Sequence, residues 1–166
     1  MKLLKCAVYC AVAGMVGFVF GRLISKCSMK PDKGLFRCFS FEKNGALYEK
    51  LNIRKWQAKV PDMSRILPFL MPPKNLFGNY EEQLPIMIRE TCVAEITHIT
   101  VSIMGLPCLR IWPGMGGVTV TVIFILFLNV PYILIQRYNR PRLIRLYKKL
   151  RTQEEKKENA VCVCGS

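Results

Sequence analysis

Between Arg110 and Arg137 stand 26 consecutive uncharged residues, Ile111-Trp112-Pro113-Gly114-Met115-Gly116-Gly117-Val118-Thr119-Val120-Thr121-Val122-Ile123-Phe124-Ile125-Leu126-Phe127-Leu128-Asn129-Val130-Pro131-Tyr132-Ile133-Leu134-Ile135-Gln136. A bilayer-spanning helix needs about 20 predominantly apolar residues, so this run decides the fold class in favour of an integral membrane protein. Pro113 to Gly117 is a turn signal, and the spanning helix is expected to begin near Val118. Asn129 lies inside the apolar run, where an amide needs a partner. Pro131 frees the carbonyl four residues earlier and is expected to kink the helix.

Two weaker runs lie upstream. Cys6 to Gly21 is uncharged between Lys5 and Arg22. Met1-Lys2-Leu3-Leu4-Lys5 would suit a signal-peptide n-region, but no small-x-small cleavage site follows and Cys27 has no lipobox before it. An uncleaved anchor is expected. Ile96 to Leu109 is shorter, with 14 uncharged residues, and alone would fit a re-entrant segment. Charge resolves the ambiguity. Basic residues follow the first run closely (Arg22, Lys26, Lys30, Lys33, Arg37) and crowd the chain after the third (Arg137, Arg140, Arg142, Arg145, Lys148, Lys149, Arg151). Both segments should be cytoplasmic by the positive-inside rule, which requires two crossings between them. The expected topology therefore puts the N-terminus outside, a large loop inside, a hairpin through Pro113–Gly117 outside and the tail inside a cell membrane.

Composition agrees. Hydrophobic residues make up 51%, and Lys plus Arg outnumber Asp plus Glu by 25 to 11, for a net charge of +14. In a soluble domain that excess would suggest nucleic acid. Here it flanks apolar runs, so membrane lipids are the expected partner and nucleic acid is not. Eight cysteines are scattered without a CxxC pair and there is one histidine, so no metal site is expected. The end Cys162-Val163-Cys164-Gly165-Ser166 is not a prenylation box.

The chain divides by composition into an anchor (1–26), a cytosolic and interfacial loop region (27–89), a transmembrane hairpin (90–140), a basic amphipathic surface helix (141–151) and a disordered tail (152–166). In the loop, 46–59 is expected to form an amphipathic helix ended by Pro61. Ile66-Leu67-Pro68-Phe69-Leu70-Met71 before Pro72-Pro73 is expected to dip into the interface. Pro141 would sit in the first turn of the surface helix with Asn139 as its cap.

The chemistry-bearing residues gather in two polar stretches. Glu90-Thr91-Cys92-Val93-Ala94-Glu95-Ile96-Thr97-His98 holds the only histidine. On a helix Thr91, Glu95, His98 and Ser102 share a face, so Glu95 and His98 could touch, and a carboxylate beside an imidazole tunes a proton acceptor near neutral pH. An ionisable pair at a membrane boundary reads by default as a functional site. The bland reading of the histidine is an interhelical hydrogen bond, and Glu90 would then merely favour the helix start. The second stretch is Asn129-Val130-Pro131 followed by Gln136-Arg137-Tyr138-Asn139-Arg140-Pro141-Arg142. The expected topology brings it to the same membrane depth as His98.

Glu90-Thr91-x-x-Ala94-Glu95-x-x-His98, Asn129-Val130-Pro131, the string Gln136 to Leu143 and Arg54-Lys55-Trp56 together resemble the CrtO-type glycosyl-diaponeurosporenoate acyltransferases of staphyloxanthin-type carotenoid synthesis. The similarity covers roughly 40–150. The resemblance implies esterification of a sugar hydroxyl on a membrane glycolipid with a fatty acyl chain. On that reading His98 is the general base and Glu95 orients it. Arg137 and Arg140 hold the phosphates of an acyl-CoA or acyl-carrier protein donor. Asn129 and Gln136 serve the oxyanion or the sugar, with Glu90 and Asn139 lining the substrate site. No resident cofactor or metal is expected. The rival is a non-catalytic membrane adaptor of a lipid or carotenoid biosynthetic complex, in which the polar clusters only pack helices.

Overall fold

The structure, a computed structural model, describes residues 1–25, 29–31, 33–60 and 80–164, without the side chains of 43, 44 and 157–164. The expected interfacial patch at 66–73 lies outside the described residues. Among the described residues the fold is all-α, with no strand. The helices are α1 (Lys2–Ile24), α2 (Ala46–Lys50), α3 (Ile53–Trp56), α4 (Tyr80–Met104), α5 (Cys108–Ile111), α6 (Met115–Leu128) and α7 (Val130–Cys164), with short 3-10 turns at Gly34–Phe36, Ser40–Gly45 and Gln57–Lys59. Three segments are long and apolar enough to cross a membrane: Lys2–Ile24, Tyr80–Ile111 and Met115–Lys156.

The inner face of α1 is a stripe of small residues: Cys6, Ala13, Gly17 and Gly21 are buried, while Val8, Val12, Met15 and Val19 point outward. The stripe lets α1 press onto α4. A Cβ on Gly17 would lie 2.1 Å from Val101 Cγ2, and one on Gly21 would lie 2.6 Å from Thr97 Oγ1. Small residues spaced by four are how membrane helices approach closely where lipid removes the hydrophobic drive. At one end of the pair Arg22 lies 4.0 Å from Glu90. Towards the other end of α1, Cys10 Sγ lies 3.5 Å from Cys108 Sγ of α5.

The middle helix is longer than its apolar run suggests. It starts at Tyr80, ten residues before Glu90, and carries Pro85 within it. The third run is broken where a kink was expected. α6 ends at Leu128, Asn129 leaves helical geometry (φ −123°, ψ −49°), and α7 starts at Val130. Pro131 thus falls in the first turn of α7, where a missing N–H costs nothing. The Asn129 carbonyl accepts from the N–H groups of Tyr132 and Ile133.

Three further expectations are corrected. The stretch 46–59 is not one helix, because Asn52 takes a left-handed conformation (φ 51°) that stops α2 and restarts the chain as α3. The basic helix at 141–151 is not separate: Pro141 lies inside α7, and Asn139 is an ordinary helical residue rather than a cap. Nor is the tail irregular, since 152–164 continue α7. Lys, Glu and Gln are good helix formers, Arg151 pairs with Glu155 at 3.3 Å, and Tyr80 donates to Glu154. The short helices α2 and α3 dock on α7 through Tyr48, Ile53 and Tyr138, with Trp56, Leu134 and Ile135 around them.

Candidate active site

His98 is half-buried on α4, facing the break between α6 and α7. Its Nδ1 lies 3.1 Å from Asn129 Oδ1. The Asn129 Nδ2 donates to the Phe124 carbonyl at 2.9 Å. That second bond fixes which way the amide points, because a carbonyl can only accept. Oδ1 therefore faces the ring, Nδ1 must carry a proton, and in the neutral ring Nε2 keeps the lone pair. Tyr132, one turn into α7, stacks on the imidazole with centroids 4.6 Å apart and planes 10° from parallel. Below the ring Ser102 Oγ donates to the His98 carbonyl at 2.7 Å.

Glu95 does not hold this ring. Its Oε1 accepts from Arg137 Nη1 at 2.5 Å and its Oε2 accepts from Arg140. Two guanidinium groups offer stronger, charge-assisted bonds than an imidazole one turn away. Asn129 takes the orienting position instead.

Arg137 and Arg140 are turned inward and nearly saturated. Arg137 Nε donates to Glu42 at 2.6 Å, Nη1 also to the Leu35 carbonyl at 3.2 Å, and Nη2 to the Arg37 carbonyl at 3.3 Å. Its guanidinium lies 4.8 Å from the centroid of the Phe39 ring. Arg140 Nε donates to Thr91 Oγ1 at 3.0 Å, Nη2 also to the Thr91 carbonyl at 3.1 Å, and Nη1 to the Phe36 carbonyl at 2.9 Å. A guanidinium has five N–H donors, so little remains for a phosphate. The expected donor-gripping arginines are instead the bolt that fastens α4, α7 and the 34–42 segment together.

Glu42 completes an alternating chain, Glu42–Arg137–Glu95–Arg140, of two carboxylates and two guanidiniums. It is buried, accepts from the Phe39 N–H at 2.9 Å and also from the Tyr48 hydroxyl. Burial pushes the Glu42 carboxyl up, but the bonds from Arg137, Tyr48 and the Phe39 N–H outweigh it and hold the group at about 2. The Tyr48 hydroxyl is pushed up by burial and by the facing Glu42 carboxylate.

Of the remaining expected site residues, Glu90 faces Arg22 at 4.0 Å. Gln136 and Asn139 lie half-buried on α7, and their side chains make no hydrogen bond within the described residues. Glu42, Tyr48 and Tyr132 were not anticipated. Tyr132 had a signal, since it lies three residues past Asn129. Glu42 and Tyr48 had none, because their partner Arg137 is 95 positions from Glu42.

A family model for glycosyl-4,4'-diaponeurosporenoate acyltransferases, CrtO, matches residues 32–149. The chain belongs to that family. Membership makes it an acyltransferase, and the matched span contains all four members of the ion chain together with His98, Asn129 and Tyr132. Curated relatives include the glycosyl-4,4'-diaponeurosporenoate acyltransferases of Staphylococcus aureus strain USA300, 28% identical over 162 residues, and of strain N315, 30% identical over 163 residues. Each alignment covers 93% of this chain and 96% of the relative. No solved structure matches.

Proposed function

We propose that this CrtO-family protein esterifies a sugar hydroxyl of a glycosylated carotenoid acid with a fatty acyl group, using His98 Nε2 as the base. The observation that carries the reading is the Nδ1–H bond from His98 to Asn129, itself oriented by the Phe124 carbonyl. It commits the imidazole to the tautomer whose other nitrogen can take a proton.

The chemistry follows from that tautomer. The sugar oxygen attacks the acyl carbonyl carbon as its proton passes to Nε2. The tetrahedral intermediate collapses, the bond to the leaving sulfur breaks, and the imidazolium returns the proton to the thiolate. The products are an ester and a free thiol, and no electrons change hands. Asn129 keeps its bond to Nδ1–H throughout, and the face of Tyr132 stabilises the cation while it exists. No enzyme nucleophile is assigned, so the acyl group passes directly from a thioester co-substrate, acyl-CoA or acyl-carrier protein, without a resident cofactor.

The acceptor class rests on the relatives' name, and the site's location at a membrane boundary suits a lipid-borne sugar. Basic residues crowd the loop after α1 and the tail of α7, which supports a site at the cytoplasmic face with the N-terminus outside. Wild type and His98→Ala, expressed at matched membrane abundance with glycosyl-4,4'-diaponeurosporenoate and labelled fatty acid, test the proposal by mass spectrometry. The ester is expected with wild type and about 10²–10⁴-fold less with the variant. Equal ester from both would remove His98 from the reaction.

A further inference from the structure

A cavity of about 250 Å³ opens beside α7, beyond the ion chain from His98. Arg137 and Arg140 form its buried end, Phe36 and Ile144 supply apolar wall, and Arg145 and Lys148 stand at its exposed end. The two buried guanidiniums are already faced by Glu42 and Glu95. The Lys148 ammonium is different: it has no anionic partner among the described residues. The cavity therefore combines apolar wall with a lysine at its mouth that no carboxylate among the described residues faces.

Its position along α7 acts as a ruler. Tyr132 marks the depth of His98, and Lys148 lies sixteen positions further along the same helix. At a rise of 1.5 Å per residue this is about 24 Å. We propose that the cavity seats the phosphate end of a 4'-phosphopantetheine thioester, with Lys148 binding the phosphate and the arm running along α7 to deliver the acyl carbonyl at His98. The proposal rests on the acyl-transfer reading and narrows its donor. A pantetheine arm, two amide units joined by aliphatic links in an extended line, spans a distance of this order together with the lysine side chain. In a phospholipid only glycerol carbons separate the phosphate from the ester, so an anion held at Lys148 would leave the acyl carbonyl far from Nε2. The same phosphopantetheine is carried by coenzyme A and by acyl-carrier protein.

The test uses the full chain in proteoliposomes with glycosyl-4,4'-diaponeurosporenoate as acceptor. The donors are myristoyl-CoA, myristoyl-carrier protein, myristoyl-phosphopantetheine and myristoyl-pantetheine, with a further arm of phosphatidylglycerol vesicles and no thioester. Loss of the phosphate is expected to raise the donor KM about tenfold, equivalent to one 1.4 kcal/mol contact. In Lys148→Ala the KM ratio between myristoyl-pantetheine and myristoyl-phosphopantetheine is expected to collapse towards one. Lys148 is exposed, so the variant tests a contact rather than the fold. Turnover of either the CoA or the carrier donor supports the proposal and identifies which of them supplies the arm. A phosphate effect that persists unchanged in Lys148→Ala overturns it. So does ester formation from phospholipid alone, which would leave acyl transfer standing. No ester from any donor would instead overturn the acyl-transfer reading itself.

Discussion

His98 and Asn129 meet across the helix break, Nδ1 to Oδ1 at 3.1 Å, although 31 residues separate them in sequence. The amide supplies orientation without a full charge. Replacing Asn129 by Leu removes the acceptor and frees the ring to present either nitrogen. Turnover should fall about 10–100-fold with donor KM little changed, which steady-state kinetics in proteoliposomes would register. A fall confined to KM would instead make Asn129 a substrate contact.

The rate should decline on the acid side as Nε2 gains a proton and can no longer serve as the base. A pH–rate profile at saturating donor tests this. A profile with no acid limb anywhere in the range where the protein stays folded would remove histidine as the base.

Glu95 serves the fold rather than the base. Glu95→Gln leaves two buried guanidiniums short of an anion, and breaking a buried pair costs about 3–5 kcal/mol. Membrane abundance or thermal stability should drop sharply, while the protein that does fold should turn over within a few-fold of wild type. Full stability with lost turnover would restore Glu95 to the reaction.

Glu42 links stability to acid. Its carboxyl is held at about 2 against a usual value of 4.5. A lowered folded value means its contribution is fully present above the ordinary carboxyl range and drains away as pH falls through the folded value. The melting-temperature gap between wild type and Glu42→Gln should therefore be widest near neutrality and narrow between about pH 4 and 2. A gap independent of pH would show that the ion pair contributes nothing.

The α1–α4 contact sets the wall behind His98. A Cβ at Gly17 would meet Val101 at 2.1 Å, so Gly17→Leu should cost about 1–3 kcal/mol by overpacking and lower activity through the displaced α4. The outward-facing Met15→Leu should change neither. Equal tolerance of both would mean that α1 merely anchors the chain.

Much of this architecture can be read from the chain. Uninterrupted apolar runs announce the candidate crossings, and the middle run, lengthened back to Tyr80, is long and apolar enough to be one of them. The convergence of His98 with Asn129 follows from the hairpin. What periodicity could not supply is pairing. Glu95 has an imidazole one turn away on its own helix, and only the folded chain reveals two guanidiniums opposite. Glu42 sits in a stretch without period, so its bond to Arg137 has no local signature. The spacing of Gly17 and Gly21 was a readable signal for close helix approach that composition alone passes over. Asn52 and Asn129 each break a helix through a single residue's dihedral angles, which hydrophobic patterning does not record.

The chain Glu42–Arg137–Glu95–Arg140 has a consequence for descent. Two acids alternating with two bases have no neutral neighbour one substitution away, since any single loss leaves an unbalanced charge among side chains largely removed from water. Drift at these four positions must therefore proceed by paired exchange or not at all. A lineage that reshapes its donor or acceptor pocket is free to do so around this quartet, but not through it.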